Sequence, residues 1–177
     1  TQRPDGAVEL TVFAGRKAIF RPKENLDLNQ WFLDRDARQA AQEAAHKEKA
    51  AQKSYVEKSN KDETFRYHIA KVVEYDDSLR EEPVLTNEDL VLGIRPEFLD
   101  IVDDSCLEGE IYGAMPTGME STIKVRIDDF LLTGVIFGSS LFTIGAKAPL
   151  SISGKNIMLF DRKSGQCIAV GSLEFEA

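Results

Sequence analysis

The chain has 177 residues, 42% apolar and 29% charged, enough apolar material for a real core in one domain or two small ones. Its net charge of −8, from 22 Lys+Arg against 30 Asp+Glu, counts against nucleic acid as the main partner, because phosphate binding calls for a basic surface. No run approaches the roughly 18 apolar residues that a membrane helix needs, and no signal peptide is visible.

A start at Thr1 rather than Met reads as an excised or processed fragment. Cys106 and Cys167 match no disulfide framework or metal-ligand spacing and are expected to be small buried thiols in a reducing compartment.

Residues 8–13 (VELTVF) alternate, and with residues 17–20 (KAIF) across Ala14-Gly15-Arg16 they predict a β-hairpin. From Asn25 the texture changes to Ala, Glu, Lys, Gln and Arg without Gly or Pro, and a long helix is predicted at about 29–58. Between Asp34 and Glu63 seven basic residues balance seven acidic ones, which fits a solvated face rather than a basic membrane helix. Its apolar positions are mostly alanine (Ala37, Ala40, Ala41, Ala44, Ala45, Ala51). These allow close packing but little buried area, so Trp31, Phe32 and Leu33 at one end, and Tyr55 and Val56 at the other, are the expected contacts. The main expectation is a helical arm lying on a β-domain, and the sharper one a partner-docking or dimer arm.

After the arm, residues 64–74 (TFRYHIAKVVE) read as a strand and residues 76–83 as a polar loop. Short strands follow at 91–95, 107–114, 121–127, 130–137, 148–152, 156–160 and 167–174, most of them separated by glycine-bearing turns. Regular short strands with turn signals indicate a barrel or sandwich, so the fold is read as mainly β with one long inserted helix. Residues 1–24 supply the first barrel strands, 25–63 the inserted arm and 64–177 the remainder.

Catalytic chemistry is sparse. His46 lies in the arm and His68 in a strand, and no HExxH, CxxC, GxSxG or GxxxxGK[ST] pattern occurs. Adjacent acids such as Asp76-Asp77, Glu81-Glu82 and Asp103-Asp104 point in different directions and do not by themselves form an acid/base pair. Neither a catalytic residue nor a metal site is predicted, and a binding or regulatory module is.

Three blocks carry a resemblance: LGIRPEFL at 92–99, LEGEIYGAMPTGMESTIKVRI at 107–127 and LFDRKSGQCI at 159–168. In this order and spacing the chain resembles the C-terminal regulatory domain of ATP-binding subunits of ABC sugar importers of the maltose and glycerol-phosphate type, the TOBE domain. The likeness covers residues 91–173 well and 8–20 weakly, and residues 25–63 depart from it as an insertion. It implies an OB-like β-barrel of TOBE type and a non-catalytic regulatory and dimerisation role. The implied partners are a second copy, the subunit's own nucleotide-binding domain, the permease subunits and a cytoplasmic regulator, at the inner face of the plasma membrane. ATP and Mg belong to a nucleotide-binding half that these residues lack, since no Walker or signature motif is present. The fragment itself is expected to need no cofactor and to turn over no ATP.

Site expectations follow from the blocks. Gly93 is expected to give backbone freedom, Pro96 to stop ladder pairing, and Arg95 with Glu97 to pin the corner or face a partner. Phe160 and Asp161 are expected to close the barrel, with Asp161 capping the turn that ends at Gly165. Glu120 and Ser121 are the candidates for holding a small ligand, which makes a sugar- or oxyanion-sensing module the alternative function. A nucleic-acid-binding OB-like domain is a second alternative, opposed by the charge and the sparse aromatic strand faces.

Overall fold

The computed structural model describes residues 1–13, 15–52, 84–103, 105–138 and 141–176, with side chains left out at 48–52. The predicted strand at 64–74, the loop at 76–83, and His68, Tyr55 and Val56 lie outside the described residues. The described chain is mainly β, with ten strands, one α-helix and one short 3-10 turn.

The strands form two antiparallel sheets. The first runs β1 (Val8–Val12), β2 (Arg16–Pro22), β10 (Cys167–Phe175), β9 (Ile157–Asp161), β3 (Leu90–Gly93). The second runs β4 (Leu99–Ile101), β8 (Lys147–Ile152), β5 (Leu107–Pro116), β6 (Glu120–Ile127), β7 (Phe130–Phe137). The early hairpin thus pairs with the C-terminal strands, Leu173 opposite Phe20, and not with the strands of the second sheet. The second sheet is continuous in sequence and sits between the paired strands β3 and β9.

Alternation explains the burial. In β6, Ser121, Ile123, Val125 and Ile127 point inward and are buried, while Glu120, Thr122, Lys124 and Arg126 point outward. Leu150 and Ile152 of β8 and Leu107 and Ile111 of β5 meet them. One contiguous core continues into the first sheet through Val8, Phe20, Ile157, Leu159 and Leu173. Phe13, in a left-handed conformation (φ 51°) after β1, joins the sheets: its ring lies edge-on to Phe130 at 5.8 Å and stacks on Phe175 at 6.3 Å.

The second sheet curls until β7 reaches β4, the strand at its opposite edge. Gly134 makes the approach possible, since a Cβ there would sit 2.8 Å from Leu99 Cδ2 and 3.3 Å from Ile123 Cγ1.

Helix α1 (Leu28–Gln52) starts at Asp27, whose side chain accepts the Gln30 N–H at 3.0 Å. Gln2 braces the same entry, accepting the Leu28 N–H at 2.8 Å and donating to the Leu26 carbonyl. Leu28, Trp31, Phe32 and Arg35 form the face toward the body, the i, i+3, i+4, i+7 pattern of one stripe. Leu33 falls off that stripe and is exposed, contrary to its expected contact role. From Asp36 to Lys47 every residue but the half-buried Gln39 is exposed, so only the first turns lie on the β-body. Alanines bury too little area to hold the rest down. Both cysteines are also exposed, against the expectation of buried thiols. Cys106 precedes β5 in a loop, and Cys167 opens β10 beside the inward-facing Ile168.

Closure at Gly134 is open to test. Gly134→Val overpacks the contact with Leu99 and is expected to lower stability by about 1–3 kcal/mol in urea unfolding. Unchanged stability would mean that β7 does not approach Leu99 this closely.

Candidate functional site

The LVLGIRPEFLD stretch is the crossing between the two sheets. β3 ends at Gly93, Arg95 is extended (φ −76°, ψ 146°) as a residue before proline prefers, and Pro96 opens the 3-10 turn Pro96–Phe98. The turn closes with the Phe98 N–H donating to the Arg95 carbonyl at 2.9 Å, and β4 begins at once with buried Leu99. The Phe98 ring lies over Gly154, where a Cβ would be 2.8 Å from Cγ.

Gly93 serves close packing and not a special backbone angle. A Cβ there would stand 2.8 Å from Phe160 Cε2 and 3.4 Å from Met158 Cβ. β3 pairs with β9 in the register Leu90–Asp161, Val91–Phe160, Leu92–Leu159, so Gly93 meets Phe160, far away in sequence, while Asp161 lies at the opposite end of β3. Arg95, Pro96 and Glu97 are exposed beyond the Gly93 end. The Arg95–Glu97 pair spans 3.9 Å with both side chains largely in water, a geometry that adds little stability.

At the other end of β3, where Leu90 pairs with Asp161, lies a buried ionic network. Among the described residues, Arg35 and Asp161 are the fully buried charged side chains. Arg35 Nη1 donates to Asp161 Oδ2 at 2.9 Å, and its Nη2 donates to Asn87 Oδ1 and to Asp36 Oδ1 at 2.7 Å each. The guanidinium also stands 5.0 Å from the Phe32 ring centroid. Asp161 Oδ2 accepts from the Ser164 N–H at 2.9 Å and from the Ser164 hydroxyl, while the Asp161 carbonyl accepts from the Gly165 N–H at 2.9 Å. The carboxylate thus caps the 161–165 turn and anchors the helix together. Asn87 is set in place by Asp89, which accepts from both the N–H and the hydroxyl of Thr86.

Burial works against both charges, yet the partners win. For Asp161, desolvation pushes the pKa up, but hydrogen bonds from Ser164 and Arg35 outweigh it and hold the carboxyl below its ordinary 3.8. For Arg35, desolvation pulls down, and its bonds to Asp36 and Asp161 more than offset it. Arg35, Asn87 and Asp89 escaped the sequence reading. Only an Arg on the same helical stripe as Leu28, Trp31 and Phe32 hinted at the first.

Glu120 and Ser121 diverge. Ser121 points into the core, and Glu120 sits on the outer face opposite Phe137, so they do not converge on one ligand. A cavity of about 100 Å³ bounded by Ala114, Pro116, Ser121, Leu141, Phe142 and Ile144 lies nearby, below the roughly 300 Å³ at which ordinary ligand pockets begin. His46 is exposed on the helix. Among the described residues no three His, Cys, Asp or Glu side chains gather around a metal position, and no helix is long and apolar enough to cross a membrane. No protein-family model matches the chain, and no curated protein matches it.

The buried pair sets two expectations. Arg35→Met strands the Asp161 charge and is expected to cost about 3–5 kcal/mol in denaturant unfolding, and the Arg35→Met/Asp161→Asn double variant less than the two single losses combined. Because the folded-state pKa of Asp161 is depressed, its stabilisation is present above about pH 4 and fades as pH falls through the lower folded value. Asp161→Asn should flatten that acid limb, and an identical limb in the variant would rule out the carboxylate as its source.

Proposed function

We propose that this chain is a non-catalytic regulatory and dimerisation module of the ATP-hydrolysing subunit of a solute importer, built as an OB-like barrel of TOBE type. The observation that carries the reading is spatial. The two most specific blocks of the resemblance, LGIRPEFL and LFDRKSGQCI, lie on either side of the second sheet in sequence, yet their ends meet where β3 pairs with β9, Leu92 of the first block opposite Leu159 of the second. Motifs that meet in this way define one structural unit. The curled second sheet adds support, because the β5–β6–β7 meander, with β8 returning to β5 and β4 lying between β8 and β7, suits a small closed barrel.

In this reading the module is a stiff body. The buried Arg35–Asp161 network and the sheet crossing keep it rigid while nucleotide-binding halves, carried elsewhere in the subunit, open and close. Arg95, Pro96 and Glu97 are the exposed part of the corner and face the nucleotide-binding half or a partner, whereas Gly93 packed on Phe160 seats the strand that leads into it, and Asp161 fixes the other end of that strand pair. ATP and Mg, the permease subunits, a cytoplasmic regulator and a place at the inner membrane face come with the full subunit. A sugar- or oxyanion-sensing role draws less support from the small cavity at Ser121, and single-stranded nucleic acid is opposed by the charge of −8.

The test compares the full subunit with a form lacking this module. Dimerisation should weaken on deletion, and the 177-residue chain alone should show no ATP turnover. Unaltered dimerisation of the truncated subunit would refute the reading. Arg95→Ala should change stability by less than about 0.5 kcal/mol, as exposed pairs do, while lowering dimerisation or ATPase coupling in the full subunit. A variant indistinguishable in both respects removes the corner from the interface.

A further inference from the structure

Residues 1–6 lie against the edge of the first sheet, outside its named strands. The chain turns at Pro4-Asp5-Gly6, where Gly6 is left-handed (φ 82°) and its N–H donates to the Arg3 carbonyl at 3.0 Å. Before the turn, Thr1 to Arg3 run antiparallel to β1. The Arg3 N–H donates to the Ala7 carbonyl at 2.7 Å, and the Glu9 N–H donates to the Thr1 carbonyl at 2.8 Å.

From this edge the Gln2 side chain reaches the start of α1. Its Nε2 donates to the Leu26 carbonyl, and its Oε1 accepts the Leu28 N–H at 2.8 Å, one of the first-turn donors that a helix cannot satisfy itself. Arg3 fastens the same stretch, donating to Glu9 Oε1 at 2.6 Å and to Glu176 Oε1 at 3.0 Å. Residues 1–6 place no side chain in the core, and these ion pairs are partly exposed, so little free energy holds the stretch down.

Helix α1 is thus held by hydrogen bonds at two separated points, by Gln2 at residues 26–28 and by Arg35 on Asp161 about two turns later. Leu28, Trp31 and Phe32 pack between them, but apolar packing by itself tolerates a spread of about 15–20° in crossing angle. Past Arg35, among the described side chains, Arg38 makes the remaining hydrogen bond to the β-body, an exposed one to Gln166 at 3.3 Å. Two points define a direction, whereas one defines only a position.

We propose that residues 1–6 are a strap that sets the direction of α1, and that its release lets the helix pivot about the Arg35–Asp161 pair while the β-body stays folded. The strap and the helix entry form a unit that opens locally, at less cost than unfolding. Whatever draws residues 1–6 off the β1 edge redirects the arm, and by linkage whatever holds the arm in another direction loosens the strap. The pivot belongs to this chain and holds whether or not the chain serves an importer.

Spin-label distances test it, with nitroxides on Ala44→Cys and Lys124→Cys, both exposed positions, in a chain carrying Cys106→Ser and Cys167→Ser. At 1.5 Å per residue Ala44 stands about 14 Å beyond Arg35, so a tilt of about 20° carries it by roughly 5 Å. The strapped chain should give one narrow distribution. Gln2→Met keeps the side-chain length but loses both hydrogen bonds, and it should widen the distribution by about 5 Å with the far-UV helical signal unchanged. Arg3→Ala should widen it too, as should salt at about 1 M, where screening acts over about 3 Å. An unchanged distribution in Gln2→Met overturns the proposal, as does widening accompanied by loss of helical signal, since the helix would then be melting and not swinging. Widening in Gln2→Met that neither Arg3→Ala nor salt reproduces overturns release of the strap and leaves Gln2 as a fixed cap. Should Gln2→Met fail to fold, the Arg3→Ala and salt results decide alone, and no widening in either sinks the proposal.

Discussion

The carboxylate of Asp161 is the point at which three distant parts of the chain are made to agree. It ends β9, caps the turn into β10, and takes the guanidinium of Arg35 from the helix, which in turn holds Asn87 just before β3. Neither charge would be tolerable there alone, because an unpaired buried ion costs several kcal/mol. The donors around Asp161 and the acceptors around Arg35 leave no buried side-chain polar atom unpaired among the described residues. Hydrophobic contact alone would let the helix slide along the sheet. A hydrogen-bonded ion pair admits one position, so it specifies where the arm leaves the body.

The two-sheet arrangement itself is set by strand pairing. β3 and β9 pair across the whole second sheet, so the chain leaves the first sheet at Gly93 and must return to it at Ile157. The exit is abrupt, since Pro96 has no N–H to extend the ladder and its ring commits the chain to a turn. Phe98 over Gly154 and the Ser153 N–H donating to the Phe98 carbonyl at 2.8 Å then tie exit and return together. The corner is therefore a structural clasp whose tip, Arg95 to Glu97, stays exposed.

Two parts of the described surface differ in character. The corner tip is polar and charged, with Arg95, Pro96 and Glu97 exposed. The far end of the second sheet is mostly apolar, with Met115, Met119, Phe137, Leu141 and Ile144 exposed and Glu120 half-buried among them. From Asp36 to Lys47, α1 carries small and charged side chains, nearly all exposed, and contributes neither a core nor an apolar face of comparable size.

The sequence by itself determined the local elements. Alternation and glycine turns placed most strands to within a residue or two, and the composition after Asn25 announced the helix, because these signals depend on neighbours a few positions apart. Leu99–Ile101 was missed because three residues are too few to show a period. Tertiary structure decided which strands pair, that the alanine stripe stays in water while Arg35 is buried, that Gly93 makes room for Phe160, and that Glu120 and Ser121 face opposite sides. Each of these is a contact between residues distant in the chain, where burial and pairing, and not local preference, set the energy.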